Sequence, residues 1–399
     1  MKFTTFDKVI FSIFAIFIVL FQLLKEELNT ILLVFFIGLG LLMAILASEK
    51  AVQGMDLLGK KLGLTPYVSG VLSSLASNTP ELVIGAFAIL AGEVEFAIAF
   101  IIIATGFNIL MLGMLVILGN LRKDKPIILP DEVIEIEVPI VRVAIVIVGS
   151  IFVYGIVLFT LEAFEIATQG ESQIPFLPYE ANVIMVLVYL FYLFFILRHN
   201  LQRRVQTISD QEEISQTHHV PVNRSFIIIV LGVAFGFIFF AGEMISSSIE
   251  SFLDQSPMFN EFQLAFFIGA AASIPEHAIA LLAVRHEGGI ELGLGNLIAG
   301  SMQNLLLMTG LVSLFSFIGA LIRIPGNTLK GIPLIHLVEG EALIPIPFLL
   351  VQFGFAWLML LLIKSSMTDD KRLDIYEGFT ITVAQIFVFI IFLRGILGL

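Results

Sequence analysis

Ser77-Asn78-Thr79-Pro80-Glu81 stands in the middle of an apolar stretch that runs from about 66 to 91. Ala272-Ser273-Ile274-Pro275-Glu276 stands in a second apolar stretch, about 262 to 284, at an offset of 195. In each, a proline that breaks helical hydrogen bonding precedes a carboxylate that hydrocarbon excludes. The correspondence continues on both sides. Gly106-Phe107-Asn108-Ile109-Leu110-Met111-Leu112 matches Met302-Gln303-Asn304-Leu305-Leu306-Leu307-Met308 at offset 196, and Ala47-Ser48-Glu49 matches Ala241-Gly242-Glu243 at offset 194. Three matches in the same order at nearly one offset describe an internal repeat.

Composition says what kind of chain carries it. Of 399 residues, 58% are hydrophobic and 14% charged, with 38 Phe and one Trp; soluble domains carry about 25% charged residues. A few hundred residues cannot hide that much apolar surface in one core, and disorder is excluded by the same numbers. The absence of Cys excludes a disulfide scaffold, thiolate metal sites and a Cys nucleophile. The expected fold class is an all-α polytopic membrane protein, because an open sheet cannot cross lipid.

Eleven apolar stretches serve as spans: about 9–24, 31–49, 66–91, 96–119, 139–161, 181–198, 225–249, 262–284, 290–319, 341–363 and 375–397. At roughly 20 residues per span, little chain remains for a soluble domain. The 9–24 stretch lacks a small-residue cleavage site before Lys25 and is read as a retained span. Eleven spans put 17 Lys and Arg on the side of the N-terminus and four on the other. The positive-inside rule then places the N-terminus in the cytoplasm and the C-terminus outside, in a multi-pass protein of the cell membrane. The span with Pro80-Glu81 runs outward and the one with Pro275-Glu276 runs inward. The two units are inverted copies, an arrangement that places a shared site near the bilayer midplane. The expected organisation is an extra N-terminal helix (1–30), a first half (31–198, with its repeat at 31–119), a cytoplasmic loop (199–224) and a second half (225–399, with its repeat at 225–319).

The repeated residues are oxygen-rich. Glu81 and Glu276 supply two charges. Pro80 and Pro275 are expected to release carbonyls near Ala76, Ser77, Ala271 and Ala272. Ser77, Asn78, Ser273, Asn108 and Asn304 add side-chain oxygens. Six to eight hard oxygens with two carboxylates suit Ca²⁺; zinc or copper would ask for His and Cys. No catalytic or nucleotide-binding motif occurs, so neither an enzyme nor an ATP-driven pump is expected, and no resident cofactor. No basic cluster suggests nucleic acid. Asp210, Glu212, Glu213, His218 and His219 in the 199–224 loop are read as a solvated face, and Glu162 and Glu165 as a solvated helix end. Glu49 and Glu243 fall near span ends, as access-path residues or as interfacial ones.

These segments resemble the two alpha-repeats of the calcium/cation antiporter superfamily, which includes sodium/calcium and proton/calcium exchangers. The resemblance rests on the two Pro-Glu motifs, on Leu64-Thr65-Pro66-Tyr67-Val68-Ser69-Gly70 ahead of the first, and on Gly295-Asn296-Leu297-Ile298 opening the helix that carries Asn304. It covers roughly half the chain and implies a ten-helix core. It implies that Glu81 and Glu276 are the central calcium ligands, with Ser77, Asn78, Ser273, the backbone oxygen of Ala272, and Asn108 and Asn304 completing the site. It also implies that the helices near 31–49 and 225–249 slide past a fixed core.

The departures concern the counter-ion. Ala104, Gly300 and Ala272 stand where sodium-coupled members carry small hydroxyl residues. Asn78, Glu276-His277 and Gln303 are similar to the proton-coupled branch, while Pro80 and Pro275 are similar to the sodium branch. The expected function is a secondary antiporter exchanging Ca²⁺ for Na⁺ or H⁺, with the balance toward H⁺ taken up by Glu81, Glu276 and His277. The alternatives are a cation channel, or an antiporter for another divalent cation such as Mn²⁺ or Mg²⁺.

Overall fold

In a computed structural model of the chain, the described residues are 5–123, 125–129, 131–169, 176–210, 224–256, 261–274, 277, 280, 289–334, 336–338, 344–346, 348–369 and 371–397. Helices dominate: α1 (Thr5–Leu24), α2 (Thr30–Leu62), α3 (Pro66–Ser77), α4 (Thr79–Ala91), α5 (Val94–Lys123), α6 (Asp131–Gln169), α7 (Tyr179–Asp210), α8 (Arg224–Gln255), α9 (Glu261–Ala272), α10 (Gly289–Met302), a π-helical turn (Gln303–Met308), α11 (Thr309–Leu321), α12 (Phe348–Thr368) and α13 (Ile375–Leu397). Ten membrane-spanning candidates occur among the described residues, with α9 a shorter apolar helix. The protein is an all-α polytopic membrane protein. Three two-stranded pieces of two or three residues per strand are its only sheet among the described residues. They pair β1 (Ile127–Ile128) with β6 (Arg372–Leu373), β2 (Phe176–Leu177) with β3 (Ile332–Pro333), and β4 (His336–Val338) with β5 (Ile344–Ile346). The first two tie loops that are distant in sequence.

Several helices overrun their apolar stretches. α2 continues through Lys60 and Lys61 to Leu62, and α7 continues to Asp210. The expected loop from 199 therefore begins as helix. Straight-chain residues such as Gln202, Arg203 and Arg204 are good helix formers in water as well as in lipid. Residues 211–223, with Glu212, Glu213, His218 and His219, lie outside the described residues, as do the side chains of Glu162 and Glu165.

α5 is the axis of the bundle. Phe96 through Ala104 are buried without interruption, and the helix packs against α4, α9, α10, α12 and α13. Small residues set the close crossings. A Cβ at Gly113 would stand 2.8 Å from the Gly378 carbonyl, and one at Gly378 would stand 3.0 Å from the Gly113 carbonyl, so α5 and α13 meet backbone to backbone. α2 and α8 form an extensive pair. Gly242 on α8 rides against α4, where a Cβ would lie 3.3 Å from the Ile84 nitrogen.

The extra helix α1 lies along this pair. Phe11 and Phe14 meet Phe237 of α8, and Phe21 packs on Phe36 of α2. Polar contacts hold it at both ends: Lys50 pairs with Asp7 at 2.9 Å, and Gln22 donates to Glu243 at 2.7 Å. Glu243 thus faces α1 rather than an open path. Glu49, exposed within α2, accepts from Gln53 one turn on.

Candidate functional site

The 66–91 stretch is two helices, and the motif is the junction. Thr65 caps α3 by accepting the Val68 N–H at 3.3 Å, with Pro66 in the first turn. α3 ends at Ser77. Asn78 is a turn residue at φ −85°, ψ 0°, and α4 starts at Thr79. Pro80 therefore does not sit within a helix, as the sequence suggests. It occupies the first turn of α4, where its missing N–H costs nothing. The released carbonyls are largely taken up locally. Thr79 Oγ1 donates to the Leu75 oxygen at 2.9 Å, Ser48 Oγ donates to the Ser77 oxygen at 3.4 Å, and the Asn78 N–H serves Ser74 and Ala76.

This junction gives Glu81 its setting. It lies in the first turn of α4 and exposes no surface. The positive end of the α4 dipole and the carbonyl end of α3, with its partial negative charge, meet at this junction. A carboxylate and a carbonyl-rich helix end set side by side leave a place that a cation can fill.

The second repeat breaks at the equivalent position. α9 ends at Ala272 and Ser273 is a turn residue, 195 residues after Asn78. The Ser273 hydroxyl donates to the Gly269 oxygen at 2.9 Å, and the His277 N–H reaches the Ser273 oxygen at 3.2 Å. Ala272 and Ser273 are buried. Pro275 and Glu276 lie outside the described residues.

Each motif helix packs against the following helix of the other repeat: α3 on α10, and α9 on α5. Gly269 permits the second contact, where a Cβ would approach the Phe100 oxygen at 3.4 Å. The polar contacts cross in the same way. Asn78 Nδ2 donates to Gln303 Oε1 at 2.8 Å, and Ser74 Oγ donates to the same oxygen at 3.1 Å. Gln303 Nε2 then donates to the Val71 oxygen at 3.0 Å. On the other side, His277 Nε2 and Asn108 Oδ1 are 3.1 Å apart. Gln303 opens the π-helical turn, a local widening that recurs at functional positions. The Thr309 hydroxyl donates to the Asn304 carbonyl at 2.8 Å across that turn.

Several buried amide atoms are unpaired, and of these the oxygens Asn78 Oδ1 and Asn304 Oδ1 can hold a cation. Asn78 Oδ1, Asn108 Nδ2 and both amide atoms of Asn304 are buried with no hydrogen-bond partner among the described residues. Leaving such groups dry and unpaired costs about 1–3 kcal/mol each. Ser77 turns elsewhere, its hydroxyl donating to the Ser74 oxygen at 3.0 Å. The structure thus brings Asn78 and Gln303 together, and Asn108 and His277 together, around junctions that hold Glu81 and Ser273. No cluster of three or more His, Asp or Glu residues with metal-ligand spacing occurs among the described residues.

One acidic group was not expected from sequence. Glu93, in the turn after Gly92, has its carboxyl pushed above the usual range, chiefly by burial and then by the charges of Glu250, Asp254 and Glu95. Glu93 and Glu250 are 157 residues apart in the chain, so only the packing of α4 on α8 reveals the group. A raised value means that ionised Glu93 opposes folding as pH rises through it, and that this cost is absent in acid. E93Q is therefore expected to melt at or above the wild-type temperature at neutral pH in chelator. The gap should close as pH falls toward the ordinary glutamate range, as read by thermal unfolding of the detergent-solubilised protein.

Comparisons place the fold among known proteins. A family model described as sodium/calcium exchanger protein matches residues 32–198 and 226–395. The solved H⁺/Ca²⁺ exchanger CAX is similar at 14% identity and a TM-score of 0.67, covering 100% of this chain and 95% of that one. The sodium-calcium exchanger NCX_Mj, soaked with 100 mM Na⁺ and 10 mM Sr²⁺, is similar at 17% identity and a TM-score of 0.55, covering 91% and 99%. A second NCX_Mj structure, soaked with 2.5 mM Na⁺ and 0.1 mM Sr²⁺, gives 16% and 0.56, with the same coverage. No curated protein matches. With its two matched segments spanning most of its length, the chain is a membrane transporter rather than an enzyme and belongs to the sodium/calcium exchanger protein family.

Proposed function

We propose that this transporter is a secondary antiporter that exchanges Ca²⁺ for protons by alternating access, with its N-terminus in the cytoplasm and its C-terminus outside. The observation that carries the reading is Glu81, a wholly buried carboxylate in the first turn of a half-helix that follows Asn78, whose Oδ1 is buried with no hydrogen-bond partner among the described residues. Glu81 and, by the repeat, Glu276 provide the charge. The Asn78, Asn108 and Asn304 amide oxygens, Ser77, Ser273 and the Ala272 carbonyl provide the remaining ligands. Each ligand pair comes from both repeats, so a relative movement of the halves changes the side from which the ion is reached. A channel would more often surround its pore with identical subunits, and one chain with two inverted halves favours the antiporter.

Protons compete with Ca²⁺ at the same carboxylates, so one site suffices for exchange. Sodium would need additional weak oxygen sites. Ala104, Gly300 and Ala272 offer no side-chain oxygen for them, and Gln303 is committed to Asn78, Ser74 and Val71. Equilibrium binding of radioactive Ca²⁺ to the purified protein tests this. Saturable binding that weakens as pH falls and ignores Na⁺ at constant ionic strength is expected. Displacement by Na⁺ would transfer the counter-ion role to sodium. Preference for Mn²⁺ or Mg²⁺ would change the cargo, and a protein that binds no divalent cation would overturn the site.

A further inference from the structure

One wholly buried ionisable group lies away from the cation site and has no part in the account so far. Glu137 occupies the second turn of α6. Tyr192 on α7 donates a hydrogen bond to its Oε1 at 2.8 Å. The rings of Tyr192 and Tyr189, one helical turn apart on α7, have centroids 5.5 Å apart. The Tyr189 hydroxyl, also wholly buried, has no hydrogen-bond partner among the described residues, and α7 packs against the π-helical turn that begins at Gln303. Gln303 accepts from Asn78 at 2.8 Å. Buried polar side chains therefore lie between the start of α6 and the motif, with hydrogen bonds at the two ends, Tyr192 to Glu137 and Asn78 to Gln303, and Tyr189 between them on the helix that packs against the π-helical turn. Around them the packing is apolar: Ile136, Val138, Val141, Met185 and Val186 are all buried.

A hydroxyl such as that of Tyr192 needs an acceptor, but it does not need a charge. A Gln in place of Glu137 would accept the same bond at a smaller desolvation cost. An acid held within a membrane span points to a use of its ionisation. α12, α10 and α7 pack against α6; among the side chains described there, the charged ones are Lys364, Glu180 and Arg198, while Glu135 and Arg142 on α6 itself are exposed. The Tyr192 hydroxyl contacts Glu137 directly.

Resting on the antiporter reading above, we propose that Glu137 is a second proton-binding site, distinct from the cation site and coupled to it across the buried stretch that holds Tyr192, Tyr189 and Gln303. Its carboxylate takes a proton from water on the side of the α6 N-terminal end when the cation site is empty. The O–H bond breaks and the proton returns to water when a divalent cation loads beside Asn78. Charge added at one end of this stretch disfavours charge added at the other, because both sit in a medium of low dielectric. The residue acts at a distance from the ion, so it carries a coupled proton without contributing a ligand.

The test counts protons. Ca²⁺ is added to purified protein in weakly buffered, sodium-free detergent solution, and proton release per bound Ca²⁺ is measured across pH. E137Q is expected to bind Ca²⁺ with an affinity changed by less than about tenfold, and to release up to one proton fewer per ion. Y192F is expected to keep the proton and to displace the pH at which it is released, since a donor to the carboxylate has been removed. A purely structural Glu137 would lower the stability of E137Q and leave the proton count untouched. Wild-type proton release with a wild-type pH profile in E137Q would overturn the proposal. Should E137Q not yield folded protein, an unchanged profile in Y192F would overturn it. Wild-type protein that binds no Ca²⁺ would instead remove the antiporter reading, so the two failures are distinguishable.

Discussion

Replacement of Glu81 by Gln is expected to abolish exchange and to weaken Ca²⁺ binding by about a hundredfold or more. The substitution keeps the size of the side chain and removes one of two charges that face the ion. Attraction between a divalent ion and a contacting carboxylate is several kcal/mol even at an effective dielectric of about 20, and roughly 2.7 kcal/mol corresponds to a hundredfold. The fold should tolerate the change, because a neutral amide is easier to bury than a carboxylate. E81Q protein with a normal melting temperature and no binding is the predicted combination. By the internal repeat, E276Q should behave in the same way. Full exchange in E81Q would remove Glu81 from the site.

The second large effect is expected at Gln303. One side chain there accepts from Asn78 and Ser74 and donates to the Val71 carbonyl, so it joins the second repeat to the motif of the first. Q303L would remove three buried hydrogen bonds, leaving Ser74 the Asn296 oxygen at 3.3 Å and Asn78 Nδ2 only the Gly300 oxygen at 3.5 Å; a buried polar group that loses its partner costs about 1–3 kcal/mol. Part of this is expected as a lower melting temperature. The rest should emerge as a tenfold or larger loss of Ca²⁺ affinity, because Asn78 is released from the orientation that points Oδ1 into the site. Q303E, as the neutral acid, keeps an acceptor oxygen for Asn78 and Ser74 and an O–H donor for the Val71 oxygen. It should recover most of the affinity. Equal damage in Q303L and Q303E would mean that Asn78 does not depend on this contact.

Much of this architecture was legible in the chain. The Pro-Glu motifs mark the helix junctions because proline and an intramembrane carboxylate are both costly away from a functional break, and α3 and α4 part within two residues of Pro80. Helix ends were less legible. Lys60, Lys61 and Arg203 end an apolar stretch without ending a helix. The π-helical turn at Gln303–Met308 has no local marker: Leu305, Leu306 and Leu307 suit an α-helix equally well. The contact between Gln303 and Asn78 joins residues 225 apart in the chain, and neither side chain alone reveals its partner.

Glu137 falls between the 96–119 and 139–161 apolar stretches, so span boundaries alone leave it in the intervening loop. A signal was nevertheless present. Glu137, Val141, Ala144 and Val148 follow one another at helical spacing, and all four are buried. Continuing the apolar face of α6 back by one turn would have placed the acid inside the bundle.

The claim that matters most is that an ion gradient drives Ca²⁺ across the bilayer through the Glu81 site. It is tested most directly by reconstituting wild type and E81Q in liposomes and following Ca²⁺ uptake under an imposed pH gradient, then under an imposed Na⁺ gradient. The account predicts Ca²⁺ movement against the proton gradient in the wild type, none in E81Q, and no response to Na⁺ alone. Ca²⁺ flux that runs at channel-like rates without either gradient, or that survives intact in E81Q, would contradict it.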